Sequence, residues 1–102
     1  MSTATAADQN NMVGPILRQG EVANAVAEAA ALDNPGKTIG VDDKVAYIRV
    51  QTEGEMTIRR ATIEEMLGRP FVMRDLEVNL ASFAGRIEMN TDHVRFYFQK
   101  HI

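Results

Sequence analysis

The sequence has no cysteine and no tryptophan, and only three prolines and two histidines in 102 residues. Without cysteine there is no disulfide, no thiolate nucleophile and no thiolate-ligated zinc or iron–sulfur centre, which fits a reducing, cytoplasmic setting. Apolar runs are short, the alanine-rich stretch Ala29–Leu32 being typical, far below the length of a membrane span. The first residues, Met1 to Asn11, have neither a basic start nor an apolar centre, so they are not a signal peptide and are expected to form a frayed tail. Positive charge is also scarce. Lys plus Arg is 11 against 14 for Asp plus Glu, a net charge of −3 with pI near 5.3. Nucleic acid and anionic membranes both select clustered positive charge, so neither is an expected partner.

What remains is an ordinary globular balance, 45% apolar and 25% charged. That is enough to bury a core in one domain, placed at residues 12–102 behind the tail at 1–11. Met12 to Arg18 has strand character, and Pro15 within it predicts an edge position or a bulge, because proline cannot donate to a ladder. Glu21 to Leu32 places Val22, Val26, Ala29 and Ala30 at helical spacing, and its small apolar stripe predicts close approach to a sheet. Asp33 to Gly36 ends that helix at Pro35. A short strand is expected over Thr38–Val41, then a polar turn at Asp42-Asp43. Val45–Val50 and Glu55–Arg59 alternate and read as a hairpin closed at Thr52–Gly54. Thr62-Ile-Glu-Glu65 matches a capping box for a short helix that stops at Gly68 and Pro70. Met73–Leu80 fits helical and strand periods equally and is read as a helical turn leading into extended chain. Phe83–Met89 and Val94–Phe98 form a second hairpin across Asn90–Asp92, with Val94, Phe96 and Phe98 inward and Arg95 and Tyr97 outward. The pattern is strand–helix–strand–strand twice over: an α+β domain whose halves share one mixed sheet with helices packed on it.

Chemistry-bearing groupings are sparse. Asn34-Pro-Gly-Lys-Thr38 resembles the end of a phosphate-binding loop, but Ala31 stands where the first glycine is needed, and a helix precedes rather than follows. His93 and His101 are not spaced to share a metal, and Ser82, Asp92 and His93 cannot readily form a triad, since neighbours on a strand face opposite ways. The acid pairs Asp42/Asp43 and Glu64/Glu65 suit a turn and a first helical turn. Surface chemistry is richer. Arg49, Arg59, Arg60, Arg69, Arg74, Arg86 and Arg95 far outnumber lysine after residue 44, and arginine over lysine marks protein interfaces. Six methionines add adaptable contact area. The residues alone indicate a binding module.

Four strings then point further: Asn34-Pro-Gly36, Leu67-Gly-Arg-Pro-Phe71, Glu77-Val-Asn-Leu-Ala-Ser-Phe-Ala-Gly85 and Arg95-Phe-Tyr-Phe98. In this order, from about Asn11 to His101, they resemble the catalytic effector (coupling or regulatory) proteins of bacterial multicomponent diiron monooxygenases, most closely the toluene monooxygenase branch. The resemblance implies a cytoplasmic, cofactor-free, non-catalytic α+β protein, monomeric when free, that docks on a diiron hydroxylase. It implies that a Rieske ferredoxin and an NADH reductase act in the same system. It further implies that docking shifts the hydroxylase's conformation, raising turnover, coupling NADH use to hydroxylation and influencing regiospecificity. The methane-oxidising relatives carry a longer N-terminal extension than this chain's tail. Two other readings are a small-ligand-sensing α+β domain, which needs a pocket under the alanine-rich helix, and a cofactor-free isomerase or hydratase, for which only Asp75 and Glu77 are positioned.

The docking face is expected around Asn34, Arg69, Phe71, Asn79, Ser82, Phe83 and Arg86. Asn34 tops the first helix's terminal loop, and Arg69 and Phe71 follow the second helix's stop, places where function is carried on a rigid scaffold. Asn79 and Ser82 interrupt an apolar stretch, which suits a surface buried on binding. Gly85 would let a partner's backbone come close.

Overall fold

The structure is a computed structural model and describes residues 11–99; the tail Met1 to Asn10 and His101 lie outside the described residues. Ten elements follow one another: β1 (Met12–Arg18), α1 (Glu21–Asp33), β2 (Gly40–Asp43), β3 (Tyr47–Glu53), β4 (Glu55–Arg59), α2 (Arg60–Leu67), α3 (Met73–Asn79), β5 (Leu80–Ala84), β6 (Arg86–Met89) and β7 (His93–Tyr97). The α+β class and the helix–strand order match the expectation. The single mixed sheet does not. The strands form a four-stranded sheet, β2-β3-β1-β5, and a three-stranded sheet, β4-β7-β6, and every pairing is antiparallel.

The reason lies at two glycines. β3 and β4 are not a hairpin, because the chain runs through Gly54 out of the first sheet and into the second. Gly54 sits at φ 84°, its N–H donates to the Asn11 carbonyl (2.9 Å) and its carbonyl accepts from the Phe98 N–H (2.8 Å). Asn11, grouped with the tail by composition, is thereby tied to the body. Lys37 Nζ donates to the carbonyls of Glu53 (2.9 Å) and Glu55 (2.7 Å), one on each side of the crossing. Gly85 makes the same transfer from β5 to β6 at φ 88°, splitting the strand expected over Phe83–Met89. A Cβ there would lie 2.7 Å from Val13 Cγ1 and 2.8 Å from the Tyr97 carbonyl oxygen, so the space foreseen for a partner's backbone holds this chain's own atoms.

Alternation sorts each strand's faces. On β3, Ile48, Val50 and Thr52 are buried, while Tyr47, Arg49 and Glu53 face solvent. The Thr52 hydroxyl donates to the Thr38 carbonyl at 2.9 Å, which satisfies its burial. Val13, Leu17, Ile48 and Val50 of one sheet meet Met56, Ile58, Val94 and Phe96 of the other, and Ile63, Phe71 and Leu76 complete the core. Helix α1 buries Ala23, Ala25, Val26, Ala29 and Ala30 against α2 and β4. Its small side chains permit that close approach.

Three local readings are corrected. Pro15 lies in a central strand, not at an edge; the bulge alternative holds, as the β1–β5 register shifts between Ile16 and Leu17. Asp42 and Asp43 belong to β2, and the turn falls at Lys44–Ala46, where Val45 takes φ 73° and its N–H donates to Asp43 Oδ1 (2.9 Å). Phe98 lies beyond β7 and is exposed rather than inward. The capping box is also replaced: α2 begins at Arg60 with no side-chain cap from its own chain neighbours, so Thr62 lies inside it. Asp33, at the end of α1, supplies only the reciprocal half of such a box from a distance, accepting from the N–H of the N-cap residue Arg59 (2.8 Å) and from the Thr62 hydroxyl (2.8 Å).

Candidate partner-binding surface

β5 reads Leu-Ala-Ser-Phe-Ala and is an edge strand of the four-stranded sheet, with four of its five residues exposed. Edge strands of free-standing proteins are normally guarded by charge, proline or shortness, because unpaired backbone groups recruit other chains. Within β5 there is no charge. Ser82 pairs with Ile16, which pairs with Arg49, which pairs with Asp42, so one row crosses the sheet's outer face. Phe83 pairs with Pro15 on the inner side, its ring centroid 6.1 Å from that of Phe96, yet it stays 39% exposed. Val78, just before β5, is 67% exposed. Arg18 Nη1 donates to the Val78 carbonyl at 2.9 Å and fastens the helix-to-strand junction to β1.

Asn79, Ser82, Phe83 and Arg86 therefore fall along one continuous segment. Asn79 closes α3, its amide donating to the Asp75 carbonyl (2.8 Å), and Arg86 is exposed at the start of β6 with no ion pair among the described residues. The other three residues lie apart from that segment. Asn34 turns inward: its Nδ2 donates to the carbonyls of Ala30 (2.7 Å) and Thr57 (2.8 Å), and its Oδ1 accepts from the Thr57 N–H (3.0 Å). Phe71 is 2% exposed and belongs to the core, its N–H donating to Glu64 Oε2 (2.9 Å). Arg69 is exposed and pairs with Glu21 Oε2 at 2.7 Å, at the first residue of α1. Asn34 follows the last residue of that helix, so the Arg69 and Asn34 sites are separated by its length, roughly 18 Å. Sequence reasoning missed Val78 and Ile16. The signal for Val78 was hidden in the ambiguous periodicity of Met73–Leu80, and Ile16 joins the surface only through its pairing with Ser82.

Other chemistries find no assembly. Among the described residues no three of His, Asp and Glu come together as a metal site, and no helix is long and apolar enough to cross a membrane. Ser82 sits in one sheet while Asp92 and His93 belong to the turn and strand of the other. The apolar face of α1 is packed against the core, with Ala23, Ala25, Val26, Ala29 and Ala30 buried, and Asp75 and Glu77 are exposed. One perturbed titration stands out. Arg95 Nε donates to Glu55 Oε2 (2.6 Å) and Nη1 to Glu88 Oε1 (3.4 Å), and the guanidinium lies 4.1 Å over the Tyr97 ring. The Glu55 hydrogen bond, and then the charges of both acids, raise its pKa above the ordinary value against some desolvation.

This geometry has close counterparts. Over 100 residues the chain is 40% identical to the alkene monooxygenase effector subunit of Xanthobacter autotrophicus (strain ATCC BAA-1158 / Py2), covering 97% of this chain and 99% of that protein. It is 34% identical over 70 residues to the phenol 2-monooxygenase stimulatory component DmpM of Pseudomonas sp. (strain CF600), covering 69% and 76%. A chain in the structure of a phenol hydroxylase–regulatory protein complex superposes with a TM-score of 0.74 at 30% identity, over 86% of this chain and 99% of that one. The MmoB/DmpM family profile matches residues 11–97, nearly the whole described body. In sequence and in fold alike, the chain belongs to the MmoB/DmpM family of monooxygenase effector components.

Proposed function

We propose that this protein is the non-catalytic effector of a multicomponent monooxygenase and docks on its diiron hydroxylase through the segment Asn79–Arg86. The observation that carries the docking assignment is β5: an uncharged edge strand with four of its five residues exposed, a half-exposed phenylalanine among them. Arg69 is a second contact, set apart from the first. Asn34 and Phe71 serve the fold itself, Asn34 by bonding to β4 at Thr57 and Phe71 by filling the core.

Such a protein works only through differential affinity, favouring one hydroxylase conformation over another. The favoured state is the closed, oxygen-ready one, which excludes water and times the access of the electron donor. Turnover, coupling of NADH use to hydroxylation, and regiospecificity follow from that preference. In the toluene branch the electron donor is a Rieske ferredoxin fed by an NADH reductase. Toluene is thus the first hydrocarbon to assay, beside an alkene and phenol, the substrate classes named for two relatives.

The test is NADH-driven product formation by a reconstituted hydroxylase system titrated with effector. Phe83→Ala should raise the effector concentration for half-maximal activation by about tenfold or more, as for an interface anchor. Circular dichroism should show the variant folded. Unchanged activation by folded Phe83→Ala and by Ser82→Arg would refute docking through β5.

A further inference from the structure

A groove of about 680 Å³ opens between the start of α3 and the β6–β7 turn, walled by Arg60, Val72, Arg74, Glu77, Met89 and Asn90. Its volume is in the range of small-ligand sites, roughly 300–1,000 Å³. No part of the docking segment Asn79–Arg86 lines it. One wall is apolar: Met73 is buried, Met89 half-buried, and Val72 is 56% exposed.

The polar side is unusual. Arg60 Nε is buried and has no hydrogen-bond partner. The guanidinium lies 3.7 Å from both Glu64 and Asp92, beyond hydrogen-bonding distance, so its charge is partly balanced while its donors stay unspent. A buried donor left unmade is costly, and native proteins rarely tolerate one without a reason. Arg74 is exposed on the same groove and makes no hydrogen bond or ion pair among the described residues. Two guanidinium groups with free donors beside an apolar wall are complementary to an anion carrying an apolar body. The acids nearby narrow which anion fits. Glu77 stands one helical turn from Arg74, and Glu64 and Asp92 lie 3.7 Å from Arg60, so the unspent donors rather than net charge favour an anion, and a dianion such as phosphate is repelled more strongly than a monoanion.

We propose that this groove binds an organic monocarboxylate, its head on Arg60 and Arg74 and its apolar body on Val72 and Met89. The proposal does not rest on the effector reading, and its test uses the full chain alone, so neither stands or falls with the other.

The probe is benzoate, titrated into nitrogen-15-labelled protein and followed by the arginine Nε–H signals and the Asn90 and Thr91 amides. Saturable shifts centred on Arg60, Arg74 and the Asn90–Thr91 turn are expected. Benzamide, the uncharged analogue, and inorganic phosphate should each bind at least about tenfold more weakly. Arg74→Gln should weaken benzoate about tenfold, and Glu77→Gln should tighten it several-fold by removing the opposing charge. Both positions are exposed, so neither variant threatens folding. Equal shifts with benzamide or phosphate, shifts that map away from the groove, or unchanged affinity in Arg74→Gln would each overturn the assignment.

Discussion

Replacing Asn34 with alanine tests whether its side chain serves the fold. β4 is an edge of the three-stranded sheet, so its outer backbone groups lack a strand partner. The Asn34 amide supplies one: it donates to the Thr57 carbonyl and accepts from the Thr57 N–H, as a neighbouring peptide would, while also closing onto Ala30. Asn34→Ala removes all three bonds, each worth about 1 kcal/mol net. Thr57 is half-buried, so water replaces them in part. The expected loss is about 2–3 kcal/mol, which for a domain of this size lowers Tm by roughly 10–20 °C. Thermal and urea unfolding followed by circular dichroism measures it. Asn34→Asp sharpens the test, because it keeps the acceptor for the Thr57 N–H but sets a carboxylate against two carbonyl oxygens. The fold then favours the protonated acid and raises its pKa, so stability is regained at acid pH and lost as pH rises through that raised value. A loss below about 0.5 kcal/mol in Asn34→Ala would refute this account. If that variant were stable but no longer bound the hydroxylase, Asn34 would return to the docking face.

Gly85→Ala combines a left-handed backbone with two contacts under 3 Å, so it should cost at least about 2–3 kcal/mol and be visible as a lowered urea midpoint. Arg69→Ala breaks an exposed pair with Glu21, so stability should change by less than about 1 kcal/mol, while calorimetric titration with hydroxylase should show binding weakened by about 1–3 kcal/mol. Full affinity in that variant would remove Arg69 from the interface.

Local signals in the sequence were reliable where the structure is local. The first helix, its stop at Pro35, the helix that stops at Gly68 and the hairpin at Asn90–Asp92 all lie close to where periodicity and turn chemistry put them. The failures share a physical cause. A glycine between two alternating strands suits a hairpin, but the same positive φ suits a strand passing between sheets, and only long-range pairing distinguishes them. Thr62–Glu65 had the composition of a capping box, yet the helix already starts at Arg60 and a carboxylate from another helix takes the Thr62 hydroxyl and the N–H of the N-cap Arg59. Of the residues expected at a docking face, Asn79, Ser82, Phe83 and Arg86 share one segment, which the polar interruptions Asn79 and Ser82 of an apolar run had marked, whereas the inward turn of Asn34 and the burial of Phe71 depend on β4 and the core.

The place of β1 at the centre of the larger sheet has a kinetic consequence. Both its neighbours, β3 and β5, come later in the chain, and Arg18 meets Val78 across 60 residues of sequence. The β2–β3 and β6–β7 pairs can close early, but β1 must wait for β5 to complete its ladder. Topologies dominated by such distant pairings fold on the order of milliseconds to seconds, slowly for a chain this small. Until the ladder closes, one edge of β1 and the whole of Leu80–Ala84 stand unpaired in the nascent protein, which is when aggregation competes. By this topology that one pairing, rather than any helix, is expected to set the folding rate, which stopped-flow refolding of Arg18→Ala would test.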